Sequence, residues 1–270
     1  MTNKEILKRA MEQSAEDIGC SVDDFTKSEN VVTRFKLGAN ARKYYTEPIV
    51  GNFVTYGSNA VIAVQDDIRE IVEEYSKKHK FYHMFETPSM YWLNEKIDGL
   101  GYKVMFMAEY YLPDVDGYFA KKRYEELKVD YELRVLEQKD FKDLYKPEWG
   151  NALCADRKYL DVLGVGAYDN GKLIGLAGCS ADCDDMWQIG VDVLPEYRRK
   201  GIASAITSRL AVEIMNRGKI PFYCTAWSNI RSVRNAVKSG FIPAWAEMTI
   251  KTKEFVEEAI KDKEVEENDN

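Results

Sequence analysis

The segment Pro195–Ser204, Pro-Glu-Tyr-Arg-Arg-Lys-Gly-Ile-Ala-Ser, has the composition of an anion-binding turn. Three cations, Arg198, Arg199 and Lys200, precede Gly201 and the small residues that follow it. The first N–H groups of a helix have no partner inside that helix, and the helix dipole adds positive charge there. A helix beginning at about Arg199 would therefore bind a phosphate, which can approach the main chain closely at a glycine. A solvated basic turn is the alternative interpretation.

The elements around this segment have to position it. Before it, the stretch "MWQIGVDVL" alternates and predicts a strand with one apolar face, made of Trp187, Ile189, Val191 and Val193. After it, apolar residues recur every four positions and predict a helix buried along one stripe, at Ile202, Ile206, Leu210 and Ile214. A strand, a turn and a long amphipathic helix in this order favour a phosphate site more specifically than the basic segment alone does.

Further elements are predicted on both sides. Asp169-Asn170-Gly171 is a tight-turn signal between two strands, "VLGVGAY" and "KLIGLAGCS". Two helical stretches are expected, around "KDFKDLY" and "WGNALCADRKYLD". The strand "KIPFYCTAW" is followed by a helix, capped by Ser228 or Asn229, and then by a last strand after Gly240.

The first half of the chain predicts a separate set of helices and strands. Thr2 and Glu5 have capping-box spacing, and Asp66 is expected to cap another helix. Strand-like segments lie between residues 30 and 64, and a helix ending at Gly101 leads into the aromatic strand "YKVMFMAEYYLP". The order helix, glycine, aromatic strand occurs again at Gly240. Two copies of one fold and a chance repeat of a common junction are both open interpretations.

Composition limits the classes of function. The 270 residues carry a net charge of −7, which argues against a general nucleic-acid binder and weakly favours a cationic small substrate. Five cysteines, an odd number, argue against a disulfide framework, and Cys179 and Cys183 have no second Cys/His pair to complete a metal site. No segment resembles a signal peptide or a membrane helix. We therefore expect a cytoplasmic protein without a metal and without a membrane or nucleic-acid partner.

The stretch "VDVLPEYRRKGIASAITSRL" resembles the acetyl-CoA-binding motif of the GNAT acetyltransferase superfamily, in which Arg or Gln is followed by two intervening residues, then Gly, one further residue, and Gly or Ala. Here the matching residues are Arg198, Gly201 and Ala203. The flanking hairpin and the segment "WSNIRSVRNAVKSGF" are also similar to the family, so that the resemblance covers about residues 130 to 250. It implies an α/β (α+β) fold, in which a mixed central sheet is flanked by helices.

The resemblance also implies positions for the cofactor, acetyl-CoA. The pyrophosphate would lie on the main-chain N–H groups from Arg199 to Ser204, near the side chains of Arg198, Arg199 and Lys200. The pantetheine arm would pair with Val191 and Val193 between two diverging strands, as an added strand does. Asn229 would contact the cofactor, cap a helix, or do both, and Ser232 is a weaker candidate. The cofactor set is Val191, Val193, Arg198, Arg199, Lys200, Gly201, Ile202, Ala203, Ser204 and Asn229.

The sequence does not identify the catalytic acid and base, although acetyl transfer needs a neutral amine and a proton for the leaving thiolate. The inward face of the strand before the motif has no titratable residue, and the family's frequent tyrosine is replaced by Ala236. Asp184, Asp185 and Glu247 could act through water, but most such acids are solvated surface groups. Tyr223 is a possible acid, and covalent catalysis by Cys224 is a minor alternative.

We expect an N-acetyltransferase that moves an acetyl group from acetyl-CoA to an amine by direct attack in a ternary complex. The alternative is an acyl-CoA-binding regulatory or scaffold module without turnover. The predicted domains are residues 1–125, an α+β companion that could be a degenerate GNAT copy, residues 130–250, the acetyltransferase domain, and residues 251–270, a charged tail. The sequence leaves the amine acceptor and the oligomeric state open.

Overall fold

A computed structural model describes residues 1–45 and 49–268, with side chains described through residue 261. The α-helices are α1 (Asn3–Ile18), α2 (Arg69–Lys78), α3 (Thr87–Asp98), α4 (Ile202–Asn216), α5 (Ile230–Lys238) and α6 (Lys253–Asn268). The strands are β1 (Val31–Arg34), β2 (Gly51–Thr55), β3 (Val61–Val64), β4 (Tyr102–Pro113), β5 (Glu132–Glu137), β6 (Asp161–Asp169), β7 (Lys172–Ser180), β8 (Met186–Val193), β9 (Ile220–Thr225) and β10 (Phe241–Thr252).

Contacts between residues divide the chain into two compact units. Unit 1 comprises Met1–Ala10 and Glu109–Ala244, and unit 2 comprises Met11–Ala108 and Trp245–Asn270. Three elements, α1, β4 and β10, therefore begin in one unit and end in the other. The units do not coincide with the predicted ranges 1–125, 130–250 and 251–270. Those ranges concern independently folding domains, which contacts alone do not test, and they stay a prediction.

Unit 1 contains a mixed sheet with the strand order β4-β9-β8-β7-β6-β5. Strands β8 and β9 are parallel, and the other neighbouring pairs are antiparallel. Helix α4 covers one face of the sheet through a fully buried stripe of apolar side chains, which consists of Ile202, Ile206, Leu210 and Ile214. The four-residue spacing in the sequence correctly predicted this stripe.

Within unit 2 the strand order is β1-β3-β2-β10, and the pairing is again mixed. Strands β1 and β3 are parallel, whereas β2 is antiparallel to β3 and to β10. Helices α2 and α3 supply buried side chains to a core that includes Val72, Tyr75 and Leu93. The mixed sheets with their helices confirm the predicted α/β (α+β) class.

Several local predictions are confirmed. The capping box at the start of α1 is formed, because the Thr2 N–H donates to Glu5 (2.7 Å) and the Glu5 N–H donates to the Thr2 hydroxyl (3.3 Å). Asn170 and Gly171 have φ of +49° and +85°, as a tight hairpin between β6 and β7 requires. Gly101 and Gly240 end helical segments with φ of +81° and +93°.

Three predictions of helix extent were wrong in detail. Residues 138–160 form only short 3₁₀ turns, at Gln138–Phe141, Pro147–Trp149 and Ala155–Leu160, instead of two longer helices. Asp66 does not cap α2, since it lies inside a 3₁₀ turn that precedes Arg69. Helix α4 begins at Ile202 and not at about Arg199.

In the described part of the chain, no helix combines the length and the apolar character needed to cross a membrane.

Candidate cofactor site

Strands β8 and β9 stop pairing partway along their length. Their parallel register runs from Met186 opposite Ile220 to Ile189 opposite Tyr223. Strand β8 continues to Val193, and over this last part its described pairing is with β7 alone, up to Gly175 opposite Val193. The carboxyl end of β8 therefore has one side available to another extended chain.

The main-chain groups of Val191 and Val193 face this available side. The Leu194 N–H donates to the Ile174 carbonyl (3.0 Å) on the β7 side. Because successive strand residues direct their N–H and C=O groups to alternate sides, those of Val191 and Val193 are directed away from β7. The Val193 carbonyl accepts a hydrogen bond from Nε of Arg198 (3.0 Å), so that the Arg198 side chain folds back onto this strand end.

The turn between β8 and α4 presents a run of main-chain N–H groups. Arg199 and Gly201 both have positive φ, +65° and +83°. The first hydrogen bond of the helix is donated by Ala205 to the Gly201 carbonyl (3.1 Å). Within residues 1–45 and 49–268, no acceptor is described for the six N–H groups from Arg199 to Ser204. Successive N–H groups in a turn with left-handed residues, next to a helix start, form a concave anion-binding nest.

The surroundings of the nest suit a phosphate. A Cβ atom on Gly201 would have Val129 Cγ1, at 3.9 Å, as its nearest neighbour, so that the space beside this glycine is open. The Lys200 ammonium lies 4.8 Å from the centre of the Tyr197 ring and 3.3 Å from the Tyr131 hydroxyl. Arg198, Arg199 and Lys200 are exposed, while Ile202 is buried and anchors the start of α4.

The structure places the remaining cofactor candidates at nearby elements. Ala203 is half-buried, and the Ser204 hydroxyl donates to the Gly201 carbonyl (3.4 Å). Asn229 is the N-cap of α5, because its side-chain oxygen accepts from the Ser232 N–H (3.2 Å). The capping role is thus observed, and contact of Asn229 with a cofactor stays a prediction.

The role of one residue at this site was not predicted from the sequence. Asp192 points away from the inward face of β8 and holds a loop against the sheet. Its carboxylate accepts from the Asn151 N–H (2.9 Å), the Asn151 side-chain amide (2.7 Å) and the Ala152 N–H (2.9 Å). A Cβ on Gly190 would lie 1.8 Å from the Asn151 carbonyl, so that only glycine fits there. The glycine within a predicted strand was the signal for this close approach.

Tyr223 lies at the point where β8 and β9 separate. Its hydroxyl is 2.9 Å from the Ser232 hydroxyl on α5, and burial raises the pKa of Tyr223. Ala236, at the family's frequent tyrosine position, is fully buried one turn after Ser232. A neutral phenol at this position can donate a proton or a hydrogen bond.

The acidic candidates differ in their surroundings. Asp184 and Asp185 are exposed, before the start of β8. Glu247 is buried in unit 2, where it accepts from Arg42 (2.9 Å) and from the Tyr45 hydroxyl (2.9 Å). Glu247 is therefore not a solvated surface group, as most such acids are expected to be. Its partners lie far away in the sequence, and the local pattern does not reveal them.

The cysteines occupy separate environments. Cys179 and Cys183 are buried, and burial raises the pKa of the Cys179 thiol. Cys224 is half-buried on β9. Among the residues that the structure describes, no group of three or more His, Cys, Asp or Glu side chains is arranged to hold a metal ion.

The family model described as GNAT acetyltransferase matches residues 47–245, about three quarters of the chain. This match confirms the resemblance seen in the sequence, and it extends well into the first half. No curated protein matches the chain.

Solved structures to which the chain is similar include a GCN5-related N-acetyltransferase-like protein from Streptococcus suis, with 19% identity, a TM-score of 0.46, and coverage of 61% of this chain and 68% of that one. A tandem GNAT protein from the clavulanic acid biosynthesis pathway has 12% identity, a TM-score of 0.41, and coverage of 62% and 59%. An aminoglycoside N-acetyltransferase in complex with CoA has 21% identity, a TM-score of 0.34, and coverage of 42% and 89%. The chain thus spans about two thirds of the first structure and less of the second.

Proposed function

The chain belongs to the GNAT acetyltransferase family, and we propose that it transfers an acetyl group from acetyl-CoA to the amine of a small molecule or peptide. The acetyl group would move by direct attack of the amine on the thioester, with both substrates bound at once. An amine carries the attack only in its neutral form, and proximity supplies much of the rate in such reactions. The reaction would take place in the cytoplasm.

The observation that carries the proposal is the run of main-chain N–H groups from Arg199 to Ser204. Six donors without a described acceptor at one helix start are costly unless an anion or water binds them. The pyrophosphate of coenzyme A carries the matching charge, and the cations Arg198, Arg199 and Lys200 add to the attraction. The residues present therefore fit this cofactor, which supplies the thioester when bound.

The adjoining strand end supports the same cofactor. Val191 and Val193 direct main-chain donors and acceptors away from β7, where the pantetheine amides could pair with them. Arg198 already occupies the Val193 carbonyl, so we assign to it the role of fixing the strand end beside the nest. Asn229 keeps its proposed place as a cofactor contact in addition to its observed capping role.

Tyr223 is our candidate for the group that protonates the leaving thiolate. It lies where β8 and β9 separate, and its raised pKa keeps the hydroxyl protonated at neutral pH. The base is unassigned, because the inward face of β8 has Trp187, Ile189, Val191 and Val193. An amine that reaches the site already neutral would need no strong base.

A second candidate function is favoured by the same absence of acids on that face. An acyl-CoA-binding module without turnover would need the nest but neither Tyr223 nor a base. It would respond to the acyl-CoA concentration through a change in stability, since a ligand that binds only the folded state stabilises it.

Two measurements test these functions. Titration calorimetry with coenzyme A should give saturable binding to the purified chain. Release of free thiol from acetyl-CoA should then rise with at least one member of a panel of polyamines, aminoglycosides and lysine peptides. Binding without thiol release for any amine would favour the binding module, and absence of any heat with coenzyme A would contradict both functions.

A further inference from the structure

Strand β5 is an outer edge of the sheet in unit 1. It pairs with β6 from Glu132 opposite Tyr168 to Glu137 opposite Leu163. Among the strands of the described residues, none pairs with its other side. A strand edge exposes a row of main-chain donors and acceptors that another chain can pair with.

The α4-facing side of this edge is apolar. Leu133 and Val135 are each 37% exposed, and their neighbours on β6, Ala167 and Val165, belong to the buried core. The apolar row of the sheet thus continues to its last strand and ends in partly exposed side chains. Exposed apolar side chains on an edge strand favour pairing with another chain.

A groove of about 370 Å³ adjoins the same edge. Leu127, Leu133 and Val212 supply its apolar lining, and Tyr124 also lines it. Glu125 and Glu213 lie in the lining too, and Arg209 is paired with Glu213 (2.7 Å). This charge pattern is unfavourable for a phosphate-bearing ligand and suits an apolar protein surface.

The charges along β5 are complementary between two antiparallel copies of this strand. Glu132 and Arg134 flank Leu133 and form an ion pair within the strand (2.6 Å), with both side chains about half-exposed. If two β5 strands pair antiparallel about Leu133, each Glu132 lies opposite Arg134 of the other copy, and Tyr131 lies opposite Val135. Pairing about Arg134 would instead place the two Arg134 side chains opposite each other. Pairing midway between Arg134 and Val135 would place Glu132 opposite Glu137, so that both registers bring like charges together.

We propose that β5 is a dimer interface, through which two copies of this chain pair antiparallel about Leu133. The two-fold axis is perpendicular to the sheet, so that both α4 helices lie on the same face. The groove of each copy is then covered by Leu133 and Val135 of its partner copy. This interface needs neither coenzyme A nor acetyl transfer, and its failure would leave the proposed function unaffected.

The first experiment is sedimentation velocity of the full chain at roughly 1 to 100 µM and moderate salt, a range that detects a dimer with a micromolar dissociation constant. The expected species has about twice the 31.1 kDa mass of one chain. Leu133→Asp should raise the dimer dissociation constant at least tenfold. Val237→Asp, a matched control on α5 where Val237 is 54% exposed, should leave it unchanged.

Charge exchange tests the register itself. Glu132→Arg and Arg134→Glu should each weaken the dimer, because each opposes like charges at two points of the interface. An equimolar mixture of the two variants should recover a heterodimer, and the double variant Glu132→Arg/Arg134→Glu should recover a homodimer. Circular dichroism verifies that each variant is folded.

Three results would overturn the proposal: a monomer at every concentration, a dimer insensitive to Leu133→Asp, or single charge variants that do not re-pair when mixed. The mass of the wild-type protein alone can contradict the proposed interface. The proposal can therefore be tested even if a variant fails to fold.

Discussion

Arg42 and Glu247 are 205 positions apart in the chain, and yet Nη2 of Arg42 lies 2.9 Å from Oε1 of Glu247. Arg42 also donates through Nε to Asp17, and the side chains of Arg42, Asp17 and Glu247 are all buried. Trp245 Nε1 donates to the same Glu247 oxygen (2.7 Å), and Tyr45 donates to the other one (2.9 Å). A carboxylate that accepts these three hydrogen bonds has the environment of a structural group in unit 2.

Glu247→Gln should destabilise the protein by about 1 to 3 kcal/mol, since the amide is a poorer acceptor for the three buried donors, although Asp17 still compensates the charge of Arg42. The amide of Gln also presents N–H groups to donors such as the Tyr45 hydroxyl. Chemical denaturation measures the loss, and Glu257→Gln on the exposed side of α6 is the control. Loss of thiol release at full stability would identify Glu247 as a catalytic base instead.

Gly201→Ala should weaken coenzyme A binding at least tenfold. A residue with a Cβ is strained at φ of +83°, and relaxation of that strain would turn the N–H groups of the nest away from the ligand. Calorimetry with coenzyme A measures the effect.

Gly171→Ala is the matched control, because Gly171 has φ of +85° and, like Gly201, has open space around it. Both variants should lose about 1 kcal/mol of stability from the strained conformation. Equal affinity of both variants for coenzyme A would contradict the placement of the pyrophosphate on the nest.

Much of the candidate site could be predicted from the sequence, because its elements are local. The alternation in β8, the four-residue spacing in α4 and the glycine between them are each encoded within about 30 residues. The start of α4 was predicted three residues too early, since Arg199 adopts a left-handed conformation that arginine rarely takes. No pattern in the sequence predicts an arginine in the left-handed conformation at this position.

The buried ion cluster could not be predicted, for a physical reason. Each of its charges looks like an ordinary surface residue within its own segment. Only the pairing of β10 with β2, in which Glu247 lies opposite Val54, brings the last strand into unit 2 beside Arg42. Interactions that depend on such distant pairing leave no local periodicity or spacing to detect.

Tyr223→Phe should lower kcat for thiol release by roughly 100-fold and leave the affinity for coenzyme A unchanged. The phenylalanine keeps the ring in the core and removes only the hydroxyl at the separation of β8 and β9. Ser232→Ala, which removes the hydroxyl partner 2.9 Å away, should have a smaller effect. An unchanged kcat for Tyr223→Phe would show that another group protonates the thiolate.

The chain should bind one coenzyme A and not two, even if unit 2 derives from a second copy of the fold. The turn between β3 and α2 carries Asp66 and Asp67 where the turn before α4 carries Arg198 and Arg199. Within the described residues, no positive φ occurs in that turn, so it forms no nest. Calorimetry should give a stoichiometry near one, and a value near two would contradict the assignment of unit 1 as the sole site.

The stability of Asp161→Asn relative to that of the wild type should be higher at neutral pH than at acid pH. Burial raises the pKa of Asp161 to about 6 from its ordinary value of 3.8, although a hydrogen bond from the Cys154 N–H (2.9 Å) opposes the change. A raised native pKa contributes stability below pH 4, and that contribution is lost as the pH rises through 6. Above pH 6 the wild type therefore carries a buried charge that the asparagine variant lacks.

The difference in unfolding free energy between Asp161→Asn and wild type should change in favour of the variant by up to about 3 kcal/mol between pH 4 and pH 7. Urea denaturation across this range measures it. Asp156→Asn, which changes an exposed aspartate on the preceding turn, is the control. A flat difference for Asp161→Asn would mean that Asp161 is ionised in the native state throughout, with its charge balanced by a partner such as the nearby Arg157.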